Sequence, residues 1–575
     1  MAGRAATPHA RGRRPVRRRL DLPAQHLRAA RRGAGPAADH RRGRPRGRTG
    51  AGVGTADLQR HRRDRRTGRR HGAGGRRPAL GRHAHLVGRR PRLRHVRLLA
   101  HQVAPLATAG VHRPGGPRRT RAGARDPGAA VKTLSRVPEP LTGKIVTPGD
   151  RRYALLRSTY TTTHSPAGVL LPETTAEVVA AVRYAREQGL PIAVRSGGHG
   201  LAGTSSNDGG IVIDLSALNR VEVVDERSRL VRVEAGARWA AVAKTLAPYG
   251  LAISSGDHGN VGVGGLATGG GVGWLVRRYG LTIDHVRAVE VVLADGTLVR
   301  ADAEHEPELF WVVRGAGAGA GIVVAFEIEA TEVRNVGLAQ LAIEATPDGA
   351  TVWQWAERLA EAPRELSTAA VLFPHGRSAV LSITAVVAAE SLRRARPLVE
   401  PLLAIGRLLD HRVDLVPYPA LVPLGHLHPN VGQQASTTTN GLLTMDDGGA
   451  RAIMRAVTGP ERALIQLRSV GGAVNDVDPD ATAYPHRHQD TLVVGTVFPP
   501  QGGGALDAAW RGIGQRADGA YVNFESRPDR AAFDRIYPGA TGRRVAELWR
   551  RYDPDGVFRP RLLDPARGRA GARRR

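Results

Sequence analysis

The sequence contains no cysteine. That absence excludes disulfides, thiolate zinc sites, iron–sulfur clusters and cysteine nucleophiles. No apolar run approaches the ~20 residues that span a bilayer. RRPVRRRL at 13–20 has the paired arginines of an export signal, yet no apolar stretch follows it. A cytoplasmic protein without a membrane span is the expectation.

A second absence is local. Residues 1–130 lack Lys, Glu, Ser, Asn, Ile, Phe, Tyr and Trp, and hold 35 Arg against 5 Asp. The formal charge of +33 therefore sits almost wholly in this segment, which leaves +3 for residues 131–575. With so little to pack, residues 1–130 are expected to be disordered. Text of Arg, Ala, Gly, Pro and His is also what a GC-rich reading frame yields without selection, so the functional chain is expected to begin near Val131. RGRPRGR at 42–48 resembles the core of an AT-hook, whose Arg-Gly-Arg-Pro strand enters a narrow minor groove. In a segment of this composition the tetrapeptide arises by chance, and a nucleic-acid partner is not expected.

Past Val131 the text turns to ordinary globular chemistry. Thr174-Thr175-Ala176-Glu177 is a capping box ahead of a helix that carries Val178, Val179, Val182 and Ala185 on one face and ends at Gly189. Strands are expected at 191–194, 211–218, 229–237 and 321–330, a helix at 239–246, and a hairpin over 288–302 turning at Asp295-Gly296. Composition shifts near 333–340, and strands such as 491–498 then mix with Ala-rich helices such as 388–404. AYVNFES (520–526) reads as a strand, and 543–558 as a helix stopped by Pro554.

Two glycine-rich stretches stand out. VRSGGHG (194–200) places His199 directly behind two glycines, as a solvated turn, as a metal or acid/base histidine, or as the anchor of a cofactor that glycines let approach. The second stretch, GDHGNVGVGGLATGGGVGW (256–274), contains Gly262-Val-Gly264-Gly-Leu-Ala267, with Asp284 downstream. This fits the dinucleotide pattern G-x-G-x-x-G/A, but a loop precedes it where that motif needs a buried strand. The glycines still allow backbone N–H groups close to a phosphate or a flat ring. His426-x-His428 and His486-x-His488 lack acidic partners at set spacing, so no metal site is expected.

Taken in order, RSGGHG, VGVGGLATGGGVGWLVRRYGLTIDHV, ADGT, ELFWVVRGAG, YVN and YDPDGVF resemble the FAD-linked oxidases of the berberine-bridge-enzyme-like family, flavoproteins of the vanillyl-alcohol oxidase type. The resemblance implies an α+β fold: a two-part PCMH-type FAD-binding domain (140–335 and 515–565) around a substrate domain (336–514) with an antiparallel sheet backed by helices. Residues 566–575 are left as a basic tail. It further implies that His199 carries FAD covalently, and that Arg195, Ser196, Gly197, Gly198 and Gly200 hold the pyrophosphate on backbone amides. Val261, Gly262 and Gly264 would line the flavin's other side, with Gly269, Gly270, Gly271, Ile322, Val323 and Asn523 near the rest of the cofactor.

The departures from the family are chemical. Many relatives make a second flavin link from cysteine, where this chain has His258. The usual tyrosine base falls on Phe524, which cannot ionise. Tyr521, Glu525 and His258 are therefore the candidate bases, with Tyr521, Asn523 and Glu525 sharing one face of the expected strand. Val261 falls at the family's oxygen-gating place and favours an oxidase. The expected activity is hydride transfer from a hydroxyl-bearing or similar small molecule to FAD, then to O2, giving H2O2. The alternatives are a dehydrogenase with another acceptor and a flavin binder with degraded catalysis.

Overall fold

The computed structural model describes residues 134, 136–425 and 435–558. The expectations for 1–130, for the tail 566–575 and for His426 and His428 lie outside them.

Helix Thr175–Glu187 starts as its sequence predicts, with the Thr174 side chain accepting the Glu177 N–H. Only half of the box closes, because the Glu177 carboxylate takes the Glu173 N–H at 2.8 Å and Lys144 at 2.7 Å. The helix lays Val178, Ala181, Val182 and Ala185 into a core. That core belongs to a four-stranded sheet ordered Ile145–Val146, Gly168–Leu170, Ile211–Asp214, Ile192–Arg195 and to a five-stranded antiparallel sheet ordered Val221–Asp225, Leu230–Glu234, Ile322–Glu329, Val286–Val292, Leu298–Asp302. The predicted hairpin turns at Asp295-Gly296, where Gly296 takes φ +80°.

The chain's C-terminal part enters this same core. Phe533, Tyr537, Val545 and Trp549 are buried in it. Tyr537 Oη donates to Gly315 O at 2.9 Å, Trp549 Nε1 to Ala316 O at 2.7 Å, and Ile192 N to Val557 O at 3.2 Å.

Residues 335–514 build a different core. Seven antiparallel strands run in the order Arg407–Pro417, Asn335–Ala345, Ser378–Val387, Leu366–His375, Leu464–Ser469, Thr491–Val497, Thr437–Leu443. Period-two alternation splits the sheet chemically. Leu341, Ile343, Ile465, Leu467 and Val493 pack with Val352, Trp355, Ile453 and Leu506 of the helices behind. Leu338, Gln340, Gln466, Arg468 and Thr496 face the other way, toward a cavity.

Candidate functional site

The strand Ile192–Arg195 delivers the chain into Ser196–Gly200, and this loop crosses a second one, Asp257–Gly262, that leads into the short helix Val263–Ala267. The crossing is backbone on backbone. A Cβ on Gly197 would stand 2.3 Å from Gly262 N, and one on Gly262 would stand 2.2 Å from Gly197 N. Close approach requires glycine there, whereas Gly198 is needed for its left-handed φ of +69°.

Side chains lock the crossing. Ser196 Oγ donates to Ala235 O at 2.6 Å and accepts from Gly264 N at 3.2 Å. Arg238 Nη1 donates to Gly197 O at 2.9 Å and also to Asn260 O. The second loop is laddered to 237–240 by Trp239 N to Val261 O, Ala240 N to Gly259 O and Val263 N to Ala237 O.

A cavity of about 1400 Å³ opens over this crossing. It exceeds the ~300–1,000 Å³ of a drug-sized ligand site, so a dinucleotide and a second molecule can share it. Ser196, Gly197, Gly198, His199, Gly200, His258, Val261, Gly262, Gly264, Gly269, Ile322, Val323, Tyr521, Asn523 and Glu525 all lie in its wall. The cavity thus gathers most of the residues singled out in the sequence.

His199 stacks on Tyr160, with ring centroids 4.5 Å apart and planes at 22°, and its ring lies 5.5 Å from that of His258. Tyr160 N donates to Gly198 O at 2.8 Å, which ties the stacking partner to the same loop. Burial, and secondarily the charge of Asp257, raise the Tyr160 phenol above its ordinary pKa. His258 Nδ1 accepts the Asn260 N–H at 3.1 Å, so the neutral ring carries its proton on Nε2.

Several expectations are corrected by this geometry. Arg195, expected to offer its backbone amide, is not in the cavity wall, and its guanidinium is buried on Leu156 O at 2.5 Å, Ser205 O at 3.2 Å and the Asp214 carboxylate at 3.4 Å. Gly270 and Gly271 stand behind the wall, Gly270 against the Tyr521 ring and Gly271 donating its N–H to Tyr521 Oη at 2.9 Å. The expected strand 520–526 is a 3-10 turn over Val522–Phe524. Its tighter winding abolishes the alternation, so Asn523, Phe524 and Glu525 all line the cavity.

The candidate bases change with it. Tyr521 is fully engaged, accepting from Gly271 N and from Asn523 Nδ2 at 2.8 Å, and burial pushes its pKa up to about 12. The Glu525 carboxylate receives Thr439 Oγ1 at 2.8 Å, Arg535 Nη2 at 2.9 Å and Arg527 N at 2.9 Å. His258 has its Nδ1 lone pair taken by the Asn260 N–H. None of the three is set up as a proton acceptor.

Asp284, at the acidic position of the dinucleotide look-alike, is spent on Arg487 at 2.8 Å and on Leu281 N. His486 is buried against Ile536 O at 3.0 Å, and among the described residues no cluster of His, Asp and Glu is placed to hold a metal. No described helix is long and apolar enough to cross a membrane.

Sequence reasoning missed Tyr160, Asp257 and Arg468. The Asp257 Oδ2 accepts from Arg468 Nε at 3.0 Å and Nη2 at 2.7 Å, and Arg468 Cζ stacks 4.6 Å from the Phe524 ring centre. Alternation in LIQLRS (464–469) was the available signal for Arg468, whereas nothing local marks Tyr160.

Comparison with known proteins agrees with the glycine cradle. Residues 166–302 match the FAD binding domain family. The chain is 28% identical over 455 residues to (R)-6-hydroxynicotine oxidase of Paenarthrobacter nicotinovorans, covering 74% of this chain and 98% of that one. The chain is an FAD-linked oxidoreductase, similar in its motifs and fold to berberine-bridge-enzyme-like proteins. Its cofactor is FAD.

Solved structures share the fold of this oxidoreductase. The Physcomitrella patens BBE-like 1 protein superposes with a TM-score of 0.67 at 21% identity, over 75% of this chain and all (100%) of that one. The glucooligosaccharide oxidase of Acremonium strictum, whose FAD is 6-S-cysteinyl and 8α-N1-histidyl, gives 0.65 at 21% identity, over 73% and 96%. The PCMH-type FAD-binding architecture is common to all three.

Proposed function

We propose that this oxidoreductase holds FAD by a single covalent bond from His199 and acts as an oxidase on a hydroxyl-bearing or similar small molecule. The observation that carries the reading is the place of His199, in the cavity wall where two glycine loops cross too closely for a Cβ. When bound, FAD accepts a hydride from the substrate carbon and gives the electrons to O2, yielding H2O2.

The protein's own residues supply position and electrostatics. Ser196 to Gly200 and Val261 to Gly264 bracket the cofactor, with Gly269, Ile322, Val323 and Asn523 forming more of its wall. Tyr160 fixes the plane of the His199 ring, which restricts the direction from which its nitrogen can attack. A sulfur link of the Acremonium kind is ruled out by composition, since the chain has no cysteine. Val261 lines the cavity, in keeping with oxygen access at that point.

In this reading, 140–335 with 515–565 form the cofactor part and 336–514 the substrate part, a division supported by the two separate cores. The polar sheet face over the cavity is where a small molecule would meet the flavin.

Acid precipitation of the purified protein tests the tether. Yellow colour should stay with the pellet, and should move to the supernatant for His199→Ala. Flavin released from the unaltered protein would overturn the link. H2O2 measured in air against reduction of an artificial dye separates the oxidase from a dehydrogenase, and a flavin that no alcohol or sugar bleaches without air points to lost catalysis.

A further inference from the structure

The cavity wall opposite the glycine loops is one face of the seven-stranded sheet, and on it Arg468 is the sole Arg or Lys among the described lining residues. Its guanidinium is held on two sides. Nε and Nη2 both donate to one oxygen of Asp257, and the plane lies against Phe524, the ring that occupies the place of the family's tyrosine. The buried Nη1 has no hydrogen-bond acceptor among the described residues. The side chain keeps 11% of its surface exposed.

The acids near it are already paired: Asp257, half-buried, with Arg468 itself, and the buried Glu525 with Arg535 and Thr439. What Arg468 still offers the cavity is the N–H of its unbonded Nη1. None of the three expected bases turns a free lone pair to the substrate. A guanidinium donor, held in place by Asp257, thus stands beside Phe524, where proton abstraction was expected.

We propose that Arg468 is a specificity-determining residue that selects substrates entering with an oxyanion, a carboxylate or a phenolate. This rests on the flavin-oxidase reading, since it assigns the substrate side of that same cavity. A guanidinium out of bulk water attracts a charged oxygen far more than a neutral one, because charge-assisted hydrogen bonds are the stronger class and screening is weak. A phenolate oxygen is already ionised and needs no base to deprotonate it, which matches the engaged state of Tyr521, Glu525 and His258; a carboxylate would be anchored by Arg468 without replacing a base at the reacting hydroxyl. Phe524 contributes a flat, uncharged backing that holds the cation's plane without competing for its protons.

The test is calorimetric titration of the full-length flavin-loaded protein with benzoate against benzamide, and with 4-nitrophenolate against nitrobenzene. At least one anion should bind about tenfold or more tightly than its neutral partner. That advantage should vanish in Arg468→Gln and largely survive in Arg468→Lys. Arg468→Gln leaves Asp257 unpaired, so the double variant Asp257→Asn/Arg468→Gln restores the local balance, with thermal scans checking that each variant is folded. Preference for benzoate identifies a carboxylate substrate, and preference for 4-nitrophenolate a phenolate. Equal binding of anion and neutral partner, an advantage intact in Arg468→Gln, or no binding by either anion overturns the assignment. Flavin absorbance keeps the two ideas apart: a colourless protein sinks the flavin reading, whereas a yellow protein without anion preference sinks only the role of Arg468.

Discussion

Gly197 and Gly262 meet backbone to backbone, each occupying the space where the other's Cβ would be. On each side the clash includes main-chain N and Cα, which cannot swing aside as a side-chain end can, and on Gly262 also the Ser196 hydroxyl at 2.2 Å. Gly197→Ala and Gly262→Ala should each cost about 1–3 kcal/mol of stability by overpacking. They should also lower the flavin absorbance per protein, because the cradle must part. Gly504→Ala is the control, since a Cβ there meets nothing within 4 Å. Thermal unfolding and the visible spectrum report both effects, and a Gly262→Ala protein as yellow and as stable as the parent would contradict the close approach.

The stack of Tyr160 on His199 makes a separate claim about kinetics. Tyr160→Phe keeps the ring and should tether flavin at the parental rate. Tyr160→Ala frees the imidazole, and the loss of a stacking energy of about 0.5–1.5 kcal/mol should slow tethering by about tenfold or less. Apoprotein mixed with FAD and sampled by acid precipitation over time gives the two rates. Equal rates for the Phe and Ala variants would leave the stack without a positioning role.

What could be read from sequence and what could not divide along physical lines. Helix Thr175–Glu187, strand Ile192–Arg195 and helix Trp239–Leu246 obey local rules of capping and periodicity, and form where those rules put them. The glycine loops were legible as close-approach elements because glycine has few other reasons to cluster among apolar residues. The burial of the Arg195 side chain was not legible, because its partner, Asp214, sits on the neighbouring parallel strand and leaves no local trace. The turn at 522–524 escaped for a similar reason. Its conformation is set by Asn440, which brackets Tyr521 with bonds of 2.7 and 3.0 Å from a strand some 80 residues away.

Tyr521 is best understood as structure. Its phenol is pushed up to about 12 and accepts two hydrogen bonds that fix Gly271 and Asn523. Tyr521→Phe should therefore lose about 1 kcal/mol of stability through the missing acceptor, while the pH profile of kcat/KM below about pH 10 keeps its shape. A limb that disappears in the Phe variant would make the phenol the proton acceptor after all.

His486 couples this fold to acid. Its ring is buried beside Tyr484, with Arg487 and His488 as its charged or titratable sequence neighbours, and burial lowers its pKa to about 4 from 6.5. The folded chain therefore keeps the ring neutral where the unfolded chain has already taken a proton. Stability follows that difference in bound protons, so it is fully present above about pH 6.5, falls as the pH drops toward 4, and levels off below. The size of the effect is on the order of 3 kcal/mol. His486→Asn cannot titrate in this window, and its amide can still donate toward Ile536 O, which the imidazole meets at 3.0 Å. The variant should start less stable near neutral pH, because the flush contact of the ring with Gly519 is lost. Its urea midpoint should then change less than the parent's between about pH 7 and about pH 4.5. Parallel pH dependences for parent and variant would assign the acid sensitivity to another group.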